Sequence, residues 1–315
     1  MTAERLPVVV GVGWSAESRA AVDYAVDLAS RKSIPLRLVH AVEAENVAAW
    51  STIGWTPDLN VARGDAARQL VADTAADVQS AHPDLEIQTA IAEGSCNAVL
   101  VHESQHAHTV VVGSRRSSGL ASLLLGSTTL DIGLRAACPL IAVPHLPDDA
   151  DDADGTAAGR PARRGVVVGV NGSPHSQHTL GYAFAQAAEL GEPVVVVHTW
   201  TEPPVADPSM ATPMAYAGGT CEEDERQVLE HCLTGWQERY PDVRLERCVQ
   251  HSRPVAELVA RSANARLLVI GSHGAGAFRS LLASVCRGVL HSARVPVAII
   301  HATPVETAAP PAGGS

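Results

Sequence analysis

Short runs of β-branched and apolar residues alternate along this chain with longer stretches whose apolar positions recur every three or four residues. In the first half the runs are 8–12, 36–40, 85–91, 109–112 and 139–143, each of a length suited to a buried strand. Between the first two, residues 18–31 put Ala21, Ala25, Leu28 and Ala29 on one face, which predicts an amphipathic helix. A second helical pattern spans 64–80 and is expected to open after Gly64 with Asp65 as its N-cap. Strands alternating with helices imply βαβ crossovers, hence a parallel sheet wound on both faces. Such sheets bind ligands at the carboxyl ends of their strands. The loops after "VVVGV", "LVHA" and "VVVGS" then share one rim.

The pattern occurs twice. "VVVGV" at 8–12 returns at 166–170, a shift of 158 positions. The same shift links "LVHAV" at 38–42 with "VVHTW" at 196–200, and "HPDLEI" at 82–87 with "YPDVRL" at 240–245. It also links "VVVGS" at 110–114 with "LVIGS" at 268–272, whereas "CPLIAV" at 138–143 and "VPVAII" at 295–300 are 157 apart. One residue is therefore missing from the second copy between Ser272 and Val295. Two duplicated domains are expected, 1–146 and 165–302. The stretch between them, 147–164, is acidic and then Ala/Gly/Pro-rich, which reads as a flexible linker, and 303–315 reads as a disordered tail.

Composition narrows the classes of function. Hydrophobic residues make up 46% and aromatics only 3%, so Val, Leu, Ala and Ile must fill the cores. The balance of 23 basic to 34 acidic residues gives −11, which argues against nucleic acid or an anionic membrane as a partner. Lys32 is the only lysine. Six scattered cysteines (Cys96, Cys138, Cys221, Cys232, Cys248 and Cys286) form no C-x-x-C pair and read as reduced core thiols. No apolar run reaches 18 residues, and no basic segment precedes a long apolar stretch at the N-terminus; a soluble cytoplasmic protein is expected.

With a single lysine there is no Walker A motif, and "GVGWSA" stops two glycines into a dinucleotide fingerprint. A phosphate on the rim would be met by backbone N–H groups, hydroxyls and the positive end of a helix. In the first copy "GSRRSSGLASLLLGST" supplies Gly113, then Gly126, Ser127 and Thr128 opening a helix, with Thr128 and Asp131 as a capping box. In the second, "GSHGAGAFRSLLASV" keeps Gly271, Gly274 and Gly276, followed by Ala283, Ser284 and Val285. Ser/Gly turns from strand to helix are common, so on spacing alone a plain turn stays open beside phosphate binding.

Taken with the openings "VVVGVGWS" and "VVVGVNGS", the "LVHA" strand and the pattern G-x-x-G, nine residues, G-S/T, the chain resembles a tandem universal stress protein. The likeness covers nearly everything outside linker and tail. It implies two flavodoxin-like (Rossmann-like) domains, each a five-stranded parallel doubly wound sheet. It also implies a stress-response regulator that binds ATP, with or without Mg²⁺. In ATP-binding members the residue ending the first strand, usually Asp, contacts the nucleoside, and the position after the second-strand His lines its pocket. The glycine loop wraps the phosphates. Carried over by position, Gly11, Val12, Gly13 and Ala41 surround base and ribose in the first copy, and Val112, Gly113, Arg116, Gly126, Ser127 and Thr128 form its phosphate loop. The second copy offers Gly169, Val170, Asn171 and Thr199, then Ile270, Gly271, Gly274, Ala283, Ser284 and Val285.

Each copy departs from the pattern differently. In the first, Gly13 stands in place of the Asp and Arg116 in place of the second glycine. A φ > 0 requirement there would strain the turn by roughly 1–2 kcal/mol; alternatively Arg115 or Arg116 lends a charge to the phosphates. In the second, Asn171 keeps a carbonyl acceptor, but 275–282 is one residue short and Ala283 replaces the closing glycine. The family pairs domains through the last strand, so "PLIAV" and "PVAII" are the candidate edges, within one chain or in a homodimer. The expected mode of action is binding, with an unidentified protein partner and weak ATP hydrolysis at most. The alternative is a nucleotide-free interaction module with vestigial loops.

Other signals are weaker. "HESQH" at 102–106 has the H-E-x-x-H spacing of zinc peptidases, but its counterpart at 260–264 keeps none of it, and a solvated helix face is expected with no metal. Ser15 and Ser173 are expected to cap the first helix of each copy. His40 and His198 are expected at strand ends, with pocket contact as the alternative, and His273 as a solvated loop residue, with phosphate contact as the alternative. Trp50 and Trp55, in the long segment 43–63, suit a lid, an interface arm or a plain loop.

Overall fold

A computed structural model of the chain describes residues 5–43, 57–114, 127–145, 163–201, 222–272 and 279–301. The first half runs β1 (Val8–Gly11), α1 (Ala16–Lys32), β2 (Leu36–Val42), α2 (Pro57–Ala81) and β3 (Ile87–Glu93). It continues with α3 (Cys96–Glu103), β4 (Thr109–Ser114), α4 (Ser127–Arg135) and β5 (Leu140–Pro144). The second half follows as β6 (Val166–Val170), α5 (Ser176–Leu190), β7 (Val194–Trp200), α6 (Glu222–Leu233), α7 (Trp236–Arg239) and β8 (Leu245–His251). It closes with α8 (Pro254–Ser262), β9 (Leu267–Gly271), α9 (Arg279–Ser292) and β10 (Val297–Ile300).

The strands make one sheet of ten, in the order β3-β2-β1-β4-β5-β10-β9-β6-β7-β8. Within each half every pairing is parallel, in the 3-2-1-4-5 order of a doubly wound sheet, so the winding reverses between β1 and β4 and between β6 and β9. The two halves join through β5 and β10, which run antiparallel with Leu140 opposite Ile299, Ile141 opposite Ala298 and Ala142 opposite Val297. Those are the two segments expected as edges, and they pair within one chain.

Burial follows from this arrangement. Central strands have both faces covered and are buried residue after residue, whereas the outer strand β3 alternates between exposed and half-buried positions. Residues pointing to one face (Val8, Val10, Val111, Ile141, Val166, Val168) pack under α1, α2, α5 and α6. Their neighbours on the other face (Val9, Val110, Val112, Leu140, Val167, Leu268) pack under α3, α4, α8 and α9. Both layers run without a break from one half into the other. Across the seam Lys32 of α1 reaches Glu189 of α5, Arg31 stands 3.5 Å from the same carboxylate, and His301 Nε2 donates to the Gly133 carbonyl (2.7 Å).

One predicted helix start is corrected. The helix expected to open at Asp65 begins at Pro57, and Asp65 lies inside it, accepting from Arg68 (2.6 Å) rather than capping. Proline is favoured at a first helical position, and an interior glycine such as Gly64 costs a helix only about 1 kcal/mol.

The described cysteines are unpaired. Burial pushes the thiols of Cys138 and Cys286 up to about 12, so at pH 8 both stay almost wholly protonated, and only the thiolate is nucleophilic. Peptide mapping after iodoacetamide treatment at pH 8 should find both unlabelled in the folded protein and labelled in urea. Labelling of native Cys286 at the rate of an exposed thiol would contradict its place under the sheet.

Candidate functional site

Each half has one cavity at the carboxyl ends of its strands, at the point where the winding reverses. In the first lobe it measures about 560 Å³ and in the second about 580 Å³, both within the range of small-molecule sites.

In the first lobe the floor is the turn from β1 into α1. Ser15 caps α1 by accepting from the Ser18 N–H (3.2 Å), as expected. The buried Ser18 hydroxyl then accepts from the Gly13 N–H (2.6 Å) and donates to the Gly11 carbonyl (3.2 Å), which fixes the turn from beneath. Close to it, next to the last residue of β4, is Gly113, where a β-carbon would stand 2.4 Å from the Glu17 carbonyl oxygen. Only glycine lets α1 start so near the strand. Trp14 projects from the turn, 63% exposed, with its ring edge-on to His40 at 5.0 Å.

The second lobe builds the same turn with other chemistry. Asn171 Oδ1 accepts from the Ser173 N–H (3.2 Å), the Ser173 hydroxyl (2.7 Å) and the Ser176 hydroxyl (3.1 Å). This closes an Asx-type turn in which Gly172 holds φ +77, a conformation that suits glycine and not the tryptophan found at the matching first-lobe position. Ser173 therefore does not cap α5: the helix begins at Ser176, and its hydroxyl is engaged by Asn171. The carbonyl acceptor expected to face a ligand from Asn171 is the same oxygen, already bound by three donors of its own loop.

His40 and His198 are both buried, both line a cavity, and both point Nδ1 at the carbonyl that ends the first strand, Val12 at 2.8 Å and Val170 at 3.1 Å. A carbonyl only accepts, so each Nδ1 carries the proton. The lobes differ at the other nitrogen: His198 Nε2 lies 2.7 Å from Glu225 Oε2. Glu225 sits on α6, and the position 158 residues earlier is the buried Ala67. Trp200 lines the same cavity and stacks against His251 at 4.3 Å.

The structure brings Gly11, Val12, Gly13, Ala41, Val112 and Gly113 together around the first cavity. Around the second it brings Gly169, Val170, Asn171, Thr199, Ile270, Gly271 and Val285. Arg116, Gly126, Gly274 and His273 fall outside the described residues, as do Trp50 and Trp55. Ser127 and Thr128 are the first two residues of α4. Thr128 is thus inside the helix rather than at its cap, and Asp131, its expected capping-box partner, accepts from Asn97 (3.1 Å) and Arg135 (3.2 Å). Ala283 and Ser284, carried over as phosphate-loop positions, are inside a helix. They lie in its second turn, because α9 starts at Arg279. With alanine in place of the closing glycine nothing halts the helix there, and it extends toward the strand.

"HESQH" does not form one helical face. The helix α3 ends at Glu103, whose carboxylate takes Arg37 Nε (2.7 Å) and a second guanidinium nitrogen (3.1 Å). Ser104–His106 form a 3₁₀ turn that leaves the rings of His102 and His106 6.4 Å apart. Sequence reasoning missed Trp14, Glu17, Cys96, Trp200 and Glu225 as cavity residues. Trp14 was legible as a large side chain where the second copy has glycine; Glu225, within an acidic helix start, carried no signal.

The universal stress protein family model matches this chain twice, over residues 5–144 and 162–301. A universal stress protein of Mycobacterium tuberculosis is 38% identical over 296 residues, covering 93% of this chain and 96% of that protein. One of Mycolicibacterium smegmatis is 34% identical over 305 residues, covering 93% and 96%. Among solved structures, a universal stress protein of Archaeoglobus fulgidus superposes with a TM-score of 0.68 at 16% identity, covering 95% of this chain and 98% of that one. With two matched repeats, a cavity at the winding reversal of each half and relatives matched over nearly their full length, the chain belongs to the universal stress protein family.

Proposed function

We propose that this protein is an adenine-nucleotide-binding stress regulator that works by binding, with ATP, with or without Mg²⁺, lying across the strand ends of its lobes and a protein partner reading the result. The carrying observation is convergence: residues drawn from β1, β2 and β4, or from β6, β7 and β9, at the positions the family resemblance selects, line one cavity per lobe. Gly113 lets the first turn of α1 lie directly against the strand at the cavity floor. Among the described residues neither cavity is lined by Lys or Arg, so phosphate contacts fall to backbone N–H groups and helix starts.

Binding rather than catalysis fits the turn hydroxyls and the second-lobe imidazole. Ser18, Ser173 and Ser176 are engaged in the turns, and both ring nitrogens of His198 have partners, so it has no lone pair free to activate a nucleophile. Titration with Mg·ATP should raise the melting temperature. At ten times Kd, ligand linkage gives about 1.4 kcal/mol, roughly 2 °C for a chain of this size. No shift, together with no adenine nucleotide released on heating the purified protein, would overturn the reading.

A further inference from the structure

The second cavity holds a carboxylate, Glu225, at a position where the first has Ala67; the first cavity's own carboxylate, Glu17, sits on α1 beside Gly113. Asn171, at the end of β6, has its carbonyl oxygen closed off by Ser173 and Ser176, and the matching Gly13 has no side chain. Glu225 enters the second cavity from a different direction. It is carried by α6, which packs on β7 and β8, so it stands on the side of the cleft away from β9. Gly271, Ile270 and Val285 line the opposite side. Among the described residues His198 is the only hydrogen-bond partner of Glu225, through Oε2, which leaves the other carboxylate oxygen as an acceptor on the wall.

The contact with His198 also fixes the carboxylate. Nδ1 of His198 carries a proton for the Val170 carbonyl, so the 2.7 Å approach of Nε2 to a carboxylate requires a second proton between them. A charge-assisted bond of this kind holds Glu225 in place with its side chain 15% exposed. The first lobe has His40 in the same place, but Ala67 where Glu225 would be, and the edge of Trp14 beside the ring.

We propose that Glu225, positioned by His198, is the hydrogen-bond acceptor that anchors the nucleoside end of a nucleotide in the second cavity, and that this makes the two lobes unequal in what they select. The second lobe prefers ligands whose nucleoside end carries N–H or O–H donors, an exocyclic amine or ribose hydroxyls; the first does not discriminate on that feature. This rests on the nucleotide reading above.

The test uses the full chain and photo-crosslinking with 8-azido-ATP, in which peptide mapping reports each lobe separately. Competition by ATP, by inosine triphosphate (no exocyclic amine) and by 2′-deoxy-ATP (no 2′-hydroxyl) gives an affinity ratio for each lobe. In the wild type the second lobe should favour ATP over at least one analogue by about tenfold or more, the usual scale for one hydrogen bond to a charged group. The analogue that loses affinity identifies the donor. Glu225→Ala should weaken ATP in the second lobe by a similar factor and bring the ratios to one, leaving the first lobe unchanged. Glu225→Gln, which keeps a carbonyl acceptor, should restore part of the preference. A purely structural Glu225 would change all three affinities together and leave the ratios alone, which would overturn the proposal. No crosslinking of either lobe in the wild type would remove the nucleotide reading itself, and the proposal with it. Crosslinking that is competed equally by all three ligands would remove the proposal alone.

Discussion

Gly113→Ala is expected to lower stability by roughly 3 kcal/mol, while the equivalent change in the second lobe, Gly271→Ala, costs less than about 1 kcal/mol. The two glycines occupy equivalent positions, 158 apart, near the ends of matching strands, and sequence alone gives no reason to separate them. Their surroundings do. A methyl at Gly113 would stand 2.4 Å from the Glu17 carbonyl oxygen, 2.5 Å from the carbonyl carbon and 2.9 Å from Cβ. All three belong to the first turn of α1, which cannot swing aside as a side-chain tip does. Ser15 caps that turn, Ser18 ties it to Gly11 and Gly13, and Ala21, Ala25 and Leu28 further along the helix are fully buried. Relief requires moving the helix as a body against the sheet. At Gly271, among the described residues, the methyl would meet only the Thr179 hydroxyl, at 3.1 Å. A hydroxyl shifts by a few tenths of an ångström, and replacing glycine also restricts the unfolded chain, which offsets part of the cost. Thermal melts of the two variants decide it: with roughly 1.5 °C per kcal/mol for a chain of this size, the first should fall by about 4–5 °C and the second by no more than about 1–2 °C. Equal shifts would show that α1 does not press on β4 as closely as described. The first-lobe cavity shares this turn, so Gly113→Ala should also impair ligand binding there while sparing the second lobe.

The parts of this fold that were legible in the sequence are those set by periodicity. Continuous apolar runs such as "VVVGV" and "PLIAV" need cover on both faces, and only a parallel sheet under two helix layers provides it. The repeat then doubled the answer, and the family resemblance singled out the last strands as the edges left to pair. What stayed illegible depends on which element passes over which. Glu225 sits in "EEDER", a run that reads as a solvated first turn of a helix, and its role appears only once α6 lies across the end of β7. The helix boundaries failed for a related reason. Gly64-Asp65 carries the local signature of a start, yet the helix already runs through it, and Ala283 carries the register of a start that α9 has overrun. Local signals mark where a helix is free to begin, and packing decides whether it does. Asn171 shows the same limit at one atom: its identity supplied an acceptor, and the loop's own serines took it.

Ile299→Asp is expected to have the largest effect of any single change considered, removing on the order of 5 kcal/mol or more, enough to unfold a protein of ordinary stability. Ile299 is fully buried at the centre of the ten-stranded sheet, opposite Leu140 across the antiparallel junction, and its side chain fills the space over Gly133 of α4. An aspartate there loses the burial of a large aliphatic side chain and places a carboxylate where a partner is missing among the buried strand residues around it. The more informative variant is the milder Ile299→Ala, which should cost about 2–4 kcal/mol. Because both core layers pass through the seam without a break, that loss should be shared by the whole molecule and not confined to the second lobe, where the residue belongs. Trp14 reports on the first lobe, and Trp236, stacked on Phe184 at 5.6 Å, reports on the second. In variants that keep only one of these as the lobe's fluorophore, urea titration of Ile299→Ala should move both transitions by the same amount and keep them coincident. If the Trp236 transition moves and the Trp14 transition does not, the lobes unfold independently and the seam is only a contact. Coincidence would mean that ordering one cavity is felt in the other through a shared core, the coupling a tandem regulator with two unequal sites would need.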